Sequence, residues 1–193
     1  MVNDMATSKN RNVKKVVKGD RARLDVYQVM SLLPVSPYHE VADVGCSVGD
    51  LSIPLGKCVY RGNVTALDTT KKDLTEARRK LKENRLTNVR VRHVEDISKL
   101  KLKDNSLDGA LAAFLFQESD SPEEVLKDVA RCLKNGGWLA IIEANVENVE
   151  GQTDGGGQNV SIQDCRRSAE SVGFTFYMRH NLSNTAYMVL FTR

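Results

Sequence analysis

The chain of 193 residues predicts one α/β domain built on an open, doubly wound, mostly parallel sheet. Three observations carry that expectation. From residue 40 onward, short apolar runs of strand length alternate with longer runs of helical period, the pattern that right-handed βαβ crossovers produce. A turn from Gly45 to Gly49 directly follows the first of those runs. The length suits a single core, since domains run about 100 to 200 residues.

The elements follow in order. Ala22 to Leu33 reads as a helix with Leu24, Tyr27 and Met30 at three-residue spacing, ended by the turn from Pro34 to Pro37. Glu40 to Val44 is a strand, and Asp50 to about Val59 is helix-like. Asn63 to Leu67 is the second strand, closing on Asp68. Thr70 and Asp73 make a capping-box-like start, with Asp in place of Glu or Gln, for a charged helix to about Arg85. Its buried stripe is Leu74, Ala77 and Leu81. Val89 to His93 alternates as a third strand, and Leu107 to Phe114 is an apolar strand of the kind buried on both faces.

Ser121, Pro122 and Glu124 supply an N-cap, a first-position proline and an acid in the first turn of a helix running to about Lys134. Asn135-Gly136-Gly137 is expected to stop it before a fifth strand, Trp138 to Glu143. Residues 144 to 160 are acidic and glycine-rich and read as a mobile loop or lid. Ser161 with Asp164 opens a last helix ending at Gly173, and strands near Phe174 to Arg179 and Ala186 to Phe191 close the chain as an antiparallel hairpin. The sheet therefore has seven strands, with helices on both faces.

Composition excludes several classes. With 41% hydrophobic and 27% charged residues the chain is that of a folded, water-facing protein. No apolar run reaches about 18 residues, so no membrane span is expected. Residues 1–20 form a basic tail, expected to be disordered, and residues 21–193 the single domain. Without an apolar segment near its start, the chain is expected to be cytoplasmic. The net charge of +3 is concentrated in that tail, where residues 1–21 hold six Lys/Arg against two Asp. The body is close to neutral but polarised: residues 71–103 carry twelve Lys/Arg against five acids, and residues 104–164 three against twelve. Such a division steers a charged partner or simply marks solvated helix faces. The cysteines at 46, 58, 132 and 165 have no C-x-x-C pairing and no histidine at ligand spacing, so no metal site is expected and they read as buried thiols.

In an open α/β sheet, ligands bind beyond the carboxyl ends of the strands where strand order reverses. The first strand-to-helix turn is Asp43-Val44-Gly45-Cys46-Ser47-Val48-Gly49. Glycine lets such a turn bend sharply and approach a ligand, and a following helix N-terminus offers N–H groups. Asp68, 23 residues after Gly45, stands where a carboxylate accepts ribose hydroxyls, which points to a nucleoside-containing cofactor. A dinucleotide fingerprint would need a third glycine at a different offset. A G-x-S-x-G nucleophile elbow matches Gly45 to Gly49 literally, with His93 or His180 as base, but only one strand precedes Ser47.

With these residues in place, the sequence resembles the class I S-adenosylmethionine-dependent methyltransferases. It is most similar to the branch containing the ubiquinone/menaquinone-biosynthesis enzymes. The resemblance spans about residues 20–192. Asp43-x-Gly45-x-Ser47-x-Gly49 is similar to the family's D-x-G-x-G-x-G element, with Ser47 in place of the middle glycine. Asp104-Asn105-Ser106-Leu107-Asp108 and Leu133-Lys134-Asn135-Gly136-Gly137 resemble its D-N-S-F-D and L-K-P-G-G elements.

The resemblance implies a Rossmann-like fold and S-adenosylmethionine as cofactor, held by Asp43, Gly45, Cys46, Ser47 and Gly49 in the first turn, Asp68 and Thr69 after the second strand, Asp96 and Ile97 after the third, and Ala113 at the end of the fourth. It further implies in-line methyl transfer to a small-molecule acceptor. In-line transfer from a sulfonium chiefly requires alignment, so no catalytic residue is assigned. Glu118, a water on Gln117 and His39 are the nearest candidates for a base, and Arg21 and Arg23 for closing on the cofactor carboxylate. Two alternatives stay open: an RNA or protein methyltransferase guided by the basic tail and the 71–103 face, and a non-catalytic S-adenosylmethionine-binding protein. Oligomeric state is not legible.

Overall fold

The computed structural model describes residues 24–144 and 160–193. The basic tail, Arg21, Arg23 and all but the ends of the acidic 144–160 segment lie outside the described residues. Seven strands form one sheet: β1 (Glu40–Val44), β2 (Asn63–Asp68), β3 (Val89–His93), β4 (Leu107–Ala113), β5 (Leu133–Ala144), β6 (Thr175–Asn181) and β7 (Ala186–Thr192). Between them run α1 (Val26–Leu32), α2 (Ser52–Cys58), α3 (Lys71–Glu83), α4 (Leu115–Glu118), α5 (Pro122–Cys132) and α6 (Ile162–Ser171). Strand order is β3-β2-β1-β4-β5-β7-β6, with β7 antiparallel to both its neighbours and the pairs among β1 to β5 parallel. The doubly wound architecture expected from the sequence is present.

Two cores lie on the two faces of the sheet. Val41, Val64, Leu111, Ala140 and Met188 meet α1 and α2 through Val29, Met30 and Leu55. Ala42, Val44, Ala110, Leu139 and Ile141 meet α5 and α6 through Leu126, Val129, Cys165 and Ala169. The alternation along β1 and β4 follows from the two-residue period of a strand, and both sets are apolar because helices cover both faces. Helix α3 packs Leu74 with Ala66 and Cys46, and its buried residues are Leu74, Ala77 and Leu81, the stripe read from the sequence. Gly109 in β4 is required by packing, since a Cβ there would fall 1.9 Å from the ring of Trp138.

Several local expectations are corrected. Helix α1 begins at Val26, capped by Asp25, whose carboxylate accepts from the N–H groups of Tyr27 and Gln28. Helix α2 begins at Ser52 rather than Asp50. Thr70 makes no side-chain cap bond at the start of α3, so its half of the expected capping box does not form. Ser121 likewise makes none, although Pro122 does open α5. That helix ends at Cys132, because Leu133 already pairs with Leu107 of β4. The Asn135-Gly136-Gly137 turn lies within β5, held by Gly136 N–H to the Arg193 carbonyl and Arg193 N–H to that of Gly137. The short helix α4 was not foreseen.

Asp108 ties the amino ends of three strands together. It accepts from Glu40 N–H at 2.8 Å and from Lys134 Nζ at 2.6 Å. Burial pushes its carboxyl up, but the Glu40 and Lys134 hydrogen bonds and the Lys134 charge outweigh this and hold it below the usual range.

Candidate functional site

The order of strands reverses between β1 and β4, and the cleft that opens there is built from their carboxyl ends. Its lining comprises Val44, Gly45 and Ser47 from the first turn, and Asp68, Thr69, Thr70 and Asp73 from the passage between β2 and α3. Ile97 lines it from beyond β3, and Ala113, Leu115 and Ser119 from the end of β4 and α4.

The first turn owes its shape to left-handed backbone at Gly45 (φ 73°) and Gly49 (φ 81°), which glycine adopts without steric cost. Ser47 takes the same region at φ 49°, where an L residue is strained by roughly 1 to 2 kcal/mol. The N–H groups of Gly45 and Cys46 both donate to the Leu67 carbonyl at 2.9 Å, and Gly49 N–H donates to Cys46 O at 2.9 Å. Ser47 N–H donates to Asp68 Oδ2 at 2.8 Å. These four N–H donors of the turn are therefore engaged within the protein.

Asp68 is 7% exposed and is the pivot of the cleft wall. Its second oxygen, Oδ1, accepts from Thr70 N–H at 2.7 Å, the backbone donor that the capping-box pattern directs to Asp73. A carboxylate has about four acceptor positions, so each oxygen retains one for a ligand donor. Asp73 turns from the helix start toward the cleft, with Oδ2 3.4 Å from Ser47 Oγ.

Of the residues expected to hold the cofactor, the cleft lining brings together Gly45, Ser47, Asp68, Thr69, Ile97 and Ala113. Asp43 lies fully buried beneath the turn, accepting from the Ser52 hydroxyl. Cys46 and Gly49 support the turn from behind: Cys46 packs with Ala66 and Leu74, and Gly49 approaches Ala77. Asp96 is exposed, and its carboxylate takes the N–H and O–H of Ser98 and pairs with Lys99. Those Ser98 hydrogen bonds hold it below the usual carboxylate range. Residues the sequence reading missed are Val44, Thr70, Asp73, Leu115 and Ser119; Asp73 was assigned to a cap, although its position five residues after Asp68 was visible.

The nucleophile-elbow reading is overturned by these contacts. The Ser47 hydroxyl faces Asp73, and His93 Nε2 lies 3.1 Å from the Thr69 carbonyl. His180 belongs to β6 at the edge of the sheet. His39 precedes β1, at the opposite end of the strands from the cleft, where its Nδ1 accepts from Ser36 N–H, so it is no base for cleft chemistry. Gln117 is half-buried in α4, and the Glu118 side chain lies outside the described residues. Among the described residues, no three His, Cys, Asp or Glu side chains gather to hold a metal ion, and no helix is long and apolar enough to cross a membrane.

Comparison with known proteins follows the same outline. A family model described as a methyltransferase domain matches residues 42–141, just over half of the chain. A demethylmenaquinone methyltransferase of Listeria welshimeri is 34% identical over 125 residues, covering 64% of this chain and 52% of that protein. A ubiquinone/menaquinone biosynthesis C-methyltransferase of Ruegeria is 30% identical over 115 residues, covering 60% of this chain and 46% of that one. The match thus spans about half the length of these relatives. The crystal structure of a SAM-dependent methyltransferase from Aquifex aeolicus superposes with a TM-score of 0.81 at 25% identity, covering 94% of this chain and 97% of the other. By the family model and the fold together, the chain belongs to the methyltransferase-domain family.

Proposed function

We propose that the protein is an S-adenosylmethionine-dependent methyltransferase acting on a small-molecule acceptor in the cytoplasm. The observation that carries the reading is the buried Asp68 carboxylate, fixed by Ser47 and Thr70 N–H groups inside the cleft where strand order reverses. The residues present fit the group. Asp68 has acceptor positions left for ribose hydroxyls, and Ile97, Ala113 and Leu115 give an apolar surface for a planar base. When bound, S-adenosylmethionine supplies a methyl group on a positively charged sulfur. The chain's own contribution is positioning: Asp68 orients the ribose, and the Gly45–Gly49 turn shapes the floor beside it. The apolar end of β4 keeps water away. The relatives named as demethylmenaquinone methyltransferases make a demethylated quinol ring the acceptor class to test first.

Calorimetric titration with S-adenosylhomocysteine tests the reading. Micromolar binding supports it, and the absence of binding by the folded protein refutes it. A second reading, with RNA as acceptor, draws on the exposed Lys71, Lys72, Lys82, Arg85 and Arg90 around α3 and β3. It requires RNA binding that weakens steeply with salt.

A further inference from the structure

We propose that Glu143 is a positioning residue of the cofactor cleft: from the end of β5 it holds α4 in place, and so sets the wall that Leu115 and Ser119 present to the ligand. This rests on the reading of the cleft as an S-adenosylmethionine site. Among the described residues three acids are buried, Asp43, Asp68 and Glu143. The first two belong to the first turn and the cleft wall, whereas Glu143 stands on β5 and is fully buried. Leu139 and Ile141 precede it on the same face of that strand, in the core against α5 and α6, so the strand period calls for an apolar side chain at 143. A carboxylate in such a place is costly unless it is hydrogen-bonded. Its Oε1 accepts from Phe116 N–H at 2.8 Å, which ties β5 to the segment that follows β4.

That segment needs an external hold. Phe114 turns the chain from β4 into α4 at φ 61° and ψ 31°, a left-handed conformation that a bulky residue keeps only where its surroundings enforce it. A phenylalanine also brings no polar group with which to cap the four-residue helix it opens. The turn is clamped from both faces of the sheet. Phe114 is buried in the core beneath α1 and α2, with its N–H on the Ile142 carbonyl at 2.7 Å. Phe116 is buried in the opposite core, with its N–H on Glu143. Between these fixtures Leu115 and Ser119 line the cofactor cleft, while Phe116 and Asp120 line a groove between α5 and α6. Helix α4 is therefore the partition between the two hollows, and its placement sets the width of the cleft. Removing the Glu143 acceptor lets Phe114 relax toward extended backbone and carries Leu115 away from the ligand.

The test compares Glu143→Leu, which fills the site without an acceptor, with Glu143→Gln, which keeps an oxygen for the Phe116 N–H. Leu139→Val, on the same face of β5, controls for damage to the core. Each protein is melted, titrated with S-adenosylhomocysteine and followed by residue-resolved hydrogen exchange. In Glu143→Leu the amides of residues 115–119 are expected to exchange about tenfold faster relative to those of β1, because α4 opens locally. Affinity for S-adenosylhomocysteine falls about tenfold as well, since α4 then occupies the cleft-forming position only about a tenth of the time. Glu143→Gln returns to within about threefold of wild-type affinity. Leu139→Val melts earlier yet binds as wild type does. Binding by Glu143→Leu within about twofold of wild type overturns the proposal. So does Glu143→Gln binding as weakly as Glu143→Leu, which marks an effect of charge and not of a placed acceptor, and so does exchange raised evenly over the whole sheet. If Glu143→Leu does not fold, the wild-type protein decides: Phe116 N–H is expected to be protected in the free protein and slowed further by S-adenosylhomocysteine, and an unprotected Phe116 N–H overturns the proposal. Failure of the wild-type protein to bind S-adenosylhomocysteine removes the cofactor reading itself, whereas wild-type binding with Glu143→Leu unchanged removes this proposal alone.

Discussion

Replacing Asp68 by asparagine keeps the shape of the side chain but turns one acceptor oxygen into a donor. Both carboxylate oxygens receive backbone N–H groups, Ser47 N–H at 2.8 Å and Thr70 N–H at 2.7 Å, in a position only 7% exposed. Whichever way the amide is turned, one N–H faces another donor. Leaving that buried group unsatisfied costs about 1 to 3 kcal/mol, and the other bond loses its charge assistance, for a total of about 2 to 4 kcal/mol. In a domain of this size that lowers the melting temperature by roughly 5 to 15 °C. Thermal melting without ligand, followed by circular dichroism, reads the effect, and urea titration checks it. A D68N protein melting within about 2 °C of wild type would refute the reasoning, because it would mean that the carboxylate does not hold the first turn against β2. Lost cofactor binding in D68N reports partly on the wall and partly on the ligand, so melting and titration belong together.

Three further outcomes are expected. Gly109→Ala drives a Cβ into the Trp138 ring and should destabilise by about 3 kcal/mol or more; combination with Trp138→Leu should recover part of the loss, and strict additivity in a double-mutant cycle would contradict the packing account. The thiols should be inert in the native state near neutral pH, because burial pushes Cys132 up to about 11 and raises Cys58 and Cys165; rapid labelling by a thiol reagent before unfolding would disagree. Asp108 has a folded value below its unfolded one, so the stability it supplies is present above about pH 4 and is lost as pH falls through the folded value. The stability gap between wild type and Asp108→Asn should accordingly close on acidification, and a gap independent of pH would count against the contact with Lys134.

What the sequence made legible is what short-range periodicity controls. Leu74, Ala77 and Leu81 recur at helical spacing and are the buried residues of α3, and the apolar run of β4 from Gly109 to Ala113 is buried on both faces because helices lie on both sides. The turn residues from Gly45 to Gly49 were visible because positive φ selects glycine at its two ends. What escaped depended on partners distant in sequence. Thr70 and Asp73 have the pattern of a cap, yet Asp68 takes the backbone N–H and Asp73 turns toward Ser47, which is 26 residues away. Helix α5 has no local reason to stop at Cys132; the partner of Leu133 is Leu107, and the Gly136 turn is closed by Arg193 at the other end of the chain. Asp96 stands in a motif position but spends its carboxylate on Ser98 and Lys99, a competition among neighbours that spacing alone does not decide.

The central claim, that the cleft at the strand reversal holds S-adenosylmethionine through its ribose, is tested most directly by a crystal structure of the protein with S-adenosylhomocysteine. The ligand is expected between the Gly45–Gly49 turn and α4, its ribose hydroxyls within hydrogen-bond distance of the Asp68 carboxylate and its base against Ile97. A ligand bound elsewhere, or bound in the cleft with its ribose away from Asp68, would contradict it.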